Sequence, residues 1–203
     1  MMCHARYSAL NLVALLGSGL LALSATGCDL SANAPSNTTY KVGDTGPAGG
    51  IIFYDSGNTG SGWRYLEVAP ADQASSGTTT WGGSGVLIGA TSTVIGTGAA
   101  NTAAIISALG SGTYAAMICH SYSLGGYSDW FLPSQQELHL MYQNLKANNL
   151  GSFTGTWYFS SSEVDANNAY EWVFTTDTGG TGDFGDSGPK TASMGSVRAI
   201  RAF

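Results

Sequence analysis

Charge is scarce in this chain. Asp, Glu, Lys and Arg make up 10% of its 203 residues, and only seven are basic. With a formal net charge of −6 and no basic cluster, the chain has nothing to neutralise a phosphate backbone. That argues against nucleic acid and against any simple polyanion as partner. Cysteine is scarce too: Cys3, Cys28 and Cys119 are the three. The motifs G-x-S-x-G and H-E-x-x-H and a phosphate-binding loop are missing. His120 and His139 share no metal-ligand spacing and read as surface or satisfied helix residues. Long apolar runs are also lacking: the longest, Ala9 to Leu23, is about fifteen residues, too short to span a bilayer comfortably. Internal repeats and coiled-coil heptads do not occur.

What is present at the N-terminus is a leader pattern. His4 and Arg6 precede the apolar run, which has the length of a secretory h-region. Leu23-Ser24-Ala25-Thr26-Gly27-Cys28 follows and resembles a bacterial lipobox, with Ala25 where Leu is usual. On that reading residues 1–27 are a lipoprotein signal peptide and Cys28 is the lipidated first residue of a membrane-anchored protein of the cell envelope. Ordinary cleavage after Ala25 is the alternative, and it would leave an exposed thiol in an oxidising compartment. Residues 28–39 are small and polar and read as a tether. With Cys3 removed and Cys28 lipidated, Cys119 has no disulfide partner.

Glycine is abundant, with 29 residues, and it punctuates a set of short strands and helices. Gly49-Gly50 leads into a strand Ile51–Tyr54, and the turn 55–62 leads into a second over 63–69. Trp63, Tyr65 and Val68 alternate imperfectly, which places a bulge in that second strand. Residues 72–97 form a Gly/Ser/Thr-rich loop around Trp81 with one short strand at 86–88. Helices are expected over 99–109, with Ala103, Ile105, Ile106 and Leu109 inward, and over 114–122. The segment 125–138 is denser in local instruction. Gly125-Gly126 permits a tight turn, Trp130-Phe131-Leu132 reads as a short buried strand, and Pro133 keeps Leu132 extended. Ser134 and Glu137 form an S-x-x-E capping box opening a helix with Leu138, Met141, Tyr142 and Leu145 on one face. Strands follow over 156–160, 169–174 and 197–203. Strands, then helices, then strands define an α+β domain rather than an alternating one.

The segment Leu124-Gly125-Gly126-Tyr127-Ser128-Asp129-Trp130-x-Leu132-Pro133-Ser134-x-x-Glu137-Leu138 resembles the signature of the Lcl C-terminal domain family. Ala115-Ala116-x-x-Cys119 fits ahead of it. Val42-Gly43-Asp44-x-Gly46-Pro47-Ala48-Gly49-Gly50-Ile51-Ile52-Phe53-Tyr54, Ser160-Ser161-Ser162-Glu163 and Val197–Phe203 fit in order, with Phe159 where Trp is common. The resemblance covers residues 40–203. It implies a C-type-lectin-like fold, related to formylglycine-generating enzymes, with two or three helices and the N- and C-terminal strands adjacent. It also implies an adhesin-like domain binding an extracellular glycan or protein, and a homotrimer that recognises sulfated glycosaminoglycans. The acidic composition weakens that last expectation.

The residues themselves offer candidates of three kinds. Trp81, in its Gly-rich loop, reads as an exposed aromatic that could stack on a sugar, with Trp157 and Tyr158 next; Trp130 and Trp172 read as core. Asp177, Asp183 and Asp186 sit in an acidic loop that could wrap Ca²⁺, or that simply joins two strands. The calcium motifs of C-type lectins are absent, so the expectation is no cofactor, with Ca²⁺ as the exception. A formylglycine-type enzyme would need a reactive cysteine pair, whereas Cys119 reads as a buried thiol on an Ala-rich helix. Arg198 and Arg201 read as structural, pointing to opposite faces of a strand, one of them paired with a carboxylate such as Glu163. The expectation is therefore a non-catalytic binding domain, or a protein-interaction module that binds no glycan.

Overall fold

The computed structural model describes residues 38–89, 91–175 and 185–203. The chain divides into two units, Met1–Asn37 and Thr38–Phe203, and the second is described here. It is an α+β domain with two sheets and, among the described residues, three α-helices.

The first sheet has strand order β1-β2-β7, from β1 (Ile51–Asp55), β2 (Tyr65–Val68) and β7 (Ile200–Ala202), all antiparallel. The first and last strands therefore share a sheet without pairing; β2 lies between them. This corrects the expected adjacency and explains β2. A central strand covered on both faces buries all four residues, including Glu67. The expected bulge is real but sits on the partner strand. Ile52 pairs with Glu67 and Tyr54 with Leu66, so Phe53 is the extra residue. That insertion rotates the backbone and lets consecutive Ile52 and Phe53 both be buried, which a regular strand with one wet face would forbid.

The second sheet has order β5-β4-β3-β6, from β3 (Trp157–Glu163), β4 (Asn168–Val173), β5 (Gly185–Pro189) and β6 (Gly195–Ser196). Only β6 runs parallel to its neighbour, β3. β5 falls inside a stretch whose sequence, Gly-Asp-Ser-Gly-Pro, reads as turn; ladder hydrogen bonds to β4 override the weak propensity. Residues 86–88 and 130–132 are not strands. Phe131 makes a single bridge to Ile200, donating at 2.8 Å and accepting at 3.0 Å.

The helices are α1 (Gly98–Leu109), α2 (Ala115–His120) and α3 (Gln135–Asn144), the last followed by a 3₁₀ turn, Lys146–Asn148. The capping box forms as read: the Glu137 amide donates to Ser134 Oγ and the Ser134 amide to Glu137 Oε2. α1 faces the core differently from expectation, through Gly98, Asn101, Thr102 and Ile105, while Ala103 is exposed. The reason is polar. Thr102 Oγ1 accepts from the Leu132 amide and donates to its carbonyl, and Asn101 holds both backbone groups of Ser92. Thus α1 satisfies irregular chain that no sheet covers.

Two apolar clusters result. One lies under α1 and α2, with Ile105, Cys119, Trp130 and Val197. The other lies under α3, with Phe53, Leu66, Leu138, Met141 and Phe174.

Candidate functional site

Three ionic clusters, each centred on a buried Arg or Lys, fix the loops around these cores. Arg201 forks onto Asp129 at 2.8 and 2.9 Å and also reaches Glu67, which accepts from the amides of Ala48 and Gly50. The Arg201 hydrogen bonds hold the Asp129 carboxyl below its ordinary value. Lys190 donates to Glu163 and to the Val86 carbonyl, and Glu163 also accepts from the amides of Ile88 and Gly89. Burial would raise the Glu163 carboxyl, but those amides and the ammonium hold it below its usual range. Arg198 donates to Asp72 at 2.6 Å and to three loop carbonyls, those of Ala69, Gly151 and Ser152. Each ion is satisfied on several sides, the condition under which a buried charge is tolerated.

The arginines therefore take structural roles, with different partners from those expected. The strand begins at Ile200, so Arg198 lies in the approach to it and alternation does not govern it; both side chains are buried. Glu163, the expected partner, belongs to Lys190.

The Asp72 cluster sits beside an open cleft of about 350 Å³. Its walls are Ser75 and Ser76, the 154–157 segment, Met194 and Ser196. Asp72 accepts from Thr154 Oγ1 at 2.6 Å and from the Tyr158 phenol at 3.0 Å, and that phenol accepts from the Gly155 amide. Burial pushes the Tyr158 phenol above its usual range. The loop carrying Thr154 and Thr156 is thus tied to an ion pair behind it. Gly155 is required there, because a Cβ would collide with Ser196 Oγ, and that buried hydroxyl has no hydrogen-bond partner.

Of the aromatic candidates, only Trp157 lines this cleft, and it is half-buried. Tyr158, next along β3, points inward and is fully buried; adjacent strand residues face opposite ways, so one of the pair had to be core. Trp81 is also core, at 1% exposure, which corrects its expected exposure. Its Nε1 donates to the Ser160 carbonyl at 2.7 Å, and the Lys190 ammonium lies 4.6 Å from its ring centroid. Gly82 and Gly83, both at positive φ, allow this loop to fold flat onto Tyr114 and Leu109.

Asp186 is exposed on β5, directly opposite Glu171. Asp177, Asp183 and Cys28 lie outside the described residues. No group of three potential metal-ligating side chains occurs among the described residues, and no helix there is long and apolar enough to cross a membrane. Cys119 is buried, and burial pushes its thiol well above the usual range. His120 is exposed, and His139 stacks on Trp172 with centroids 4.5 Å apart.

Sequence reasoning missed Asp72, Met194 and Ser196. Asp72 had no motif around it, and Met194 and Ser196 join the cleft only because β6 pairs with β3. Comparison with protein-family models and with curated proteins finds no match for this chain.

Proposed function

We propose that this chain is an envelope-anchored bacterial lipoprotein whose C-type-lectin-like domain binds an extracellular ligand, glycan or protein, in the manner of an adhesin and without catalysis. The supporting observation is the cleft beside Asp72, which presents Trp157 and hydroxyl-bearing residues on a loop pre-set by a buried ion pair. Binding surfaces gain affinity when the recognising groups are already ordered. The resemblance of 40–203 to the Lcl C-terminal domain family motivates this reading, and the family's trimer is carried with it as part of the proposal. The buried, proton-holding Cys119 weighs against its use as a formylglycine-type nucleophile.

A second reading, a protein-interaction module that binds no glycan, is favoured by the exposed apolar side chains Val86, Leu87 and Val164. These sit on neighbouring loops joined by the Gly85–Ala166 hydrogen bond. Exposed apolar side chains so gathered mark protein contacts more often than sugar contacts.

Full-length protein displayed against a glycan array and a panel of extracellular proteins separates the two. Glycan binding supports the first reading; protein binding lost on Leu87→Asp supports the second. Anchoring is tested separately. Cys28→Ser should move the protein from the membrane to the soluble fraction and abolish incorporation of a labelled fatty acid. Unchanged membrane partition with no label in the wild type would overturn the lipoprotein assignment.

A further inference from the structure

We infer that the Trp157 cleft takes a short, uncharged, hydroxyl-rich ligand, a neutral oligosaccharide, and not the sulfated polyanion that the family resemblance implies. This rests on the ligand-binding reading above and deepens it.

No described residue lining the cleft is charged. Asp72, the ionic group bonded to the lining residue Thr154, is already joined to Arg198. A sulfate or carboxylate would lose part of its water there and meet no described cation to replace it. Sulfate recognition needs Arg or Lys within reach, and Arg198 is fully buried with its donors committed to Asp72 and three carbonyls. The chain's net charge of −6 repels a polyanion further.

What the cleft does offer suits a sugar. Trp157 lines it with an indole, the group that apolar sugar faces pack against, and Met194, 60% exposed, supplies a second, deformable apolar contact. Thr154 is committed to Asp72, which leaves the hydroxyls of Ser75, Ser76 and Thr156 to donate to and accept from ligand hydroxyls. Ser196 adds a buried hydroxyl with no partner in the domain, where nearly all such groups are paired. A volume of about 350 Å³ lies at the small end of ligand sites, which run from about 300 to 1,000 Å³ and so accommodate a short saccharide.

The test uses the full chain on an array of neutral, uronic-acid and sulfated oligosaccharides, read at low and high NaCl. Neutral oligosaccharides should bind, with affinity nearly independent of salt. Trp157→Ala should weaken them at least about tenfold, roughly 1.4 kcal/mol, and Ser196→Ala by a smaller factor, with the melting temperature of each variant measured in parallel to exclude unfolding. Preference for sulfated glycans with steep salt dependence would overturn the neutral-ligand inference while leaving the binding role intact. Neutral binding untouched by a folded Trp157→Ala would overturn the placement. Binding of a protein and of no glycan would overturn the ligand class and favour the interaction-module reading.

Discussion

Trp81 and Trp157 look alike in the sequence: each sits near small, polar residues, and each is a reasonable stacking platform. In the structure they part. Trp81 is sealed against Ser160 and Lys190 inside the domain, whereas Trp157 is partly exposed on a cleft. An indole's surroundings in sequence say little about its exposure when glycines let a loop fold back. Trp81 belongs to the frame and Trp157 to the surface that the frame holds still. Two buried glutamates on neighbouring strands repeat the lesson. Glu163 is surrounded by donors and held ionised. Glu171, at 4% exposure, faces Asp186 across the ladder, and no described side chain donates to its carboxylate.

The widest break in the frame comes from its ion pairs. Arg198→Ala strips Asp72 of its cation and frees the 151–156 loop, so it should cost about 3–5 kcal/mol, the range for breaking a buried pair. Thermal unfolding measures this; a loss below about 1 kcal/mol would show that the cluster is dispensable. Trp81→Ala should cost a similar amount, about 3–5 kcal/mol for deleting a buried aromatic. Trp157→Ala at the same measurement should cost clearly less, under about 1 kcal/mol, because Trp157 is partly exposed at the cleft and not sealed in the core. Near-equal losses for the two tryptophans would erase the distinction between frame and cleft.

Glu171 gives a smaller, pH-dependent effect. Burial first, and then the nearby Asp186 charge, push its carboxyl up to about 7. The folded state therefore holds a proton that the unfolded state, titrating near 4.3, releases earlier. Stability should fall as pH rises from about 4.5 to about 7 and level off above that. Glu171→Gln should remove the slope and raise stability at pH 8 by about 1–2 kcal/mol, discounted because solvent reaches this edge. At pH 4 the substitution should change little. Melting curves at both pH values decide it, and a variant that is less stable at pH 8 would mean the carboxylate has a partner in solution.

The helix start at Ser134 was legible from sequence because its determinants are local. An S-x-x-E box and a preceding proline act over four residues, and the structure forms that box. β1, β2 and α3 were legible for the same reason of period and punctuation. Long-range pairing was not. Residues 185–189 carry no strand signal and become β5 only through β4. Residues 130–132 carry a strand signal and make one bridge, since Ile200 offers only a short edge. The inward face of α1 escaped notice because Asn101 and Thr102 are there to bond loop backbone, not to fill volume. The cleft was half visible: Trp157 stood out by type, while Asp72, Met194 and Ser196 are brought to it by contacts far apart in the chain.

The most direct test is to titrate the full-length wild type, Trp157→Ala and Trp157→Phe with the neutral oligosaccharides that score on the array, alongside their melting temperatures. The expected result is an affinity loss of at least about tenfold for Ala, partial retention for Phe, and melting within about 3 °C for all three. Full affinity in a folded Trp157→Ala would contradict the placement of the binding site in this cleft.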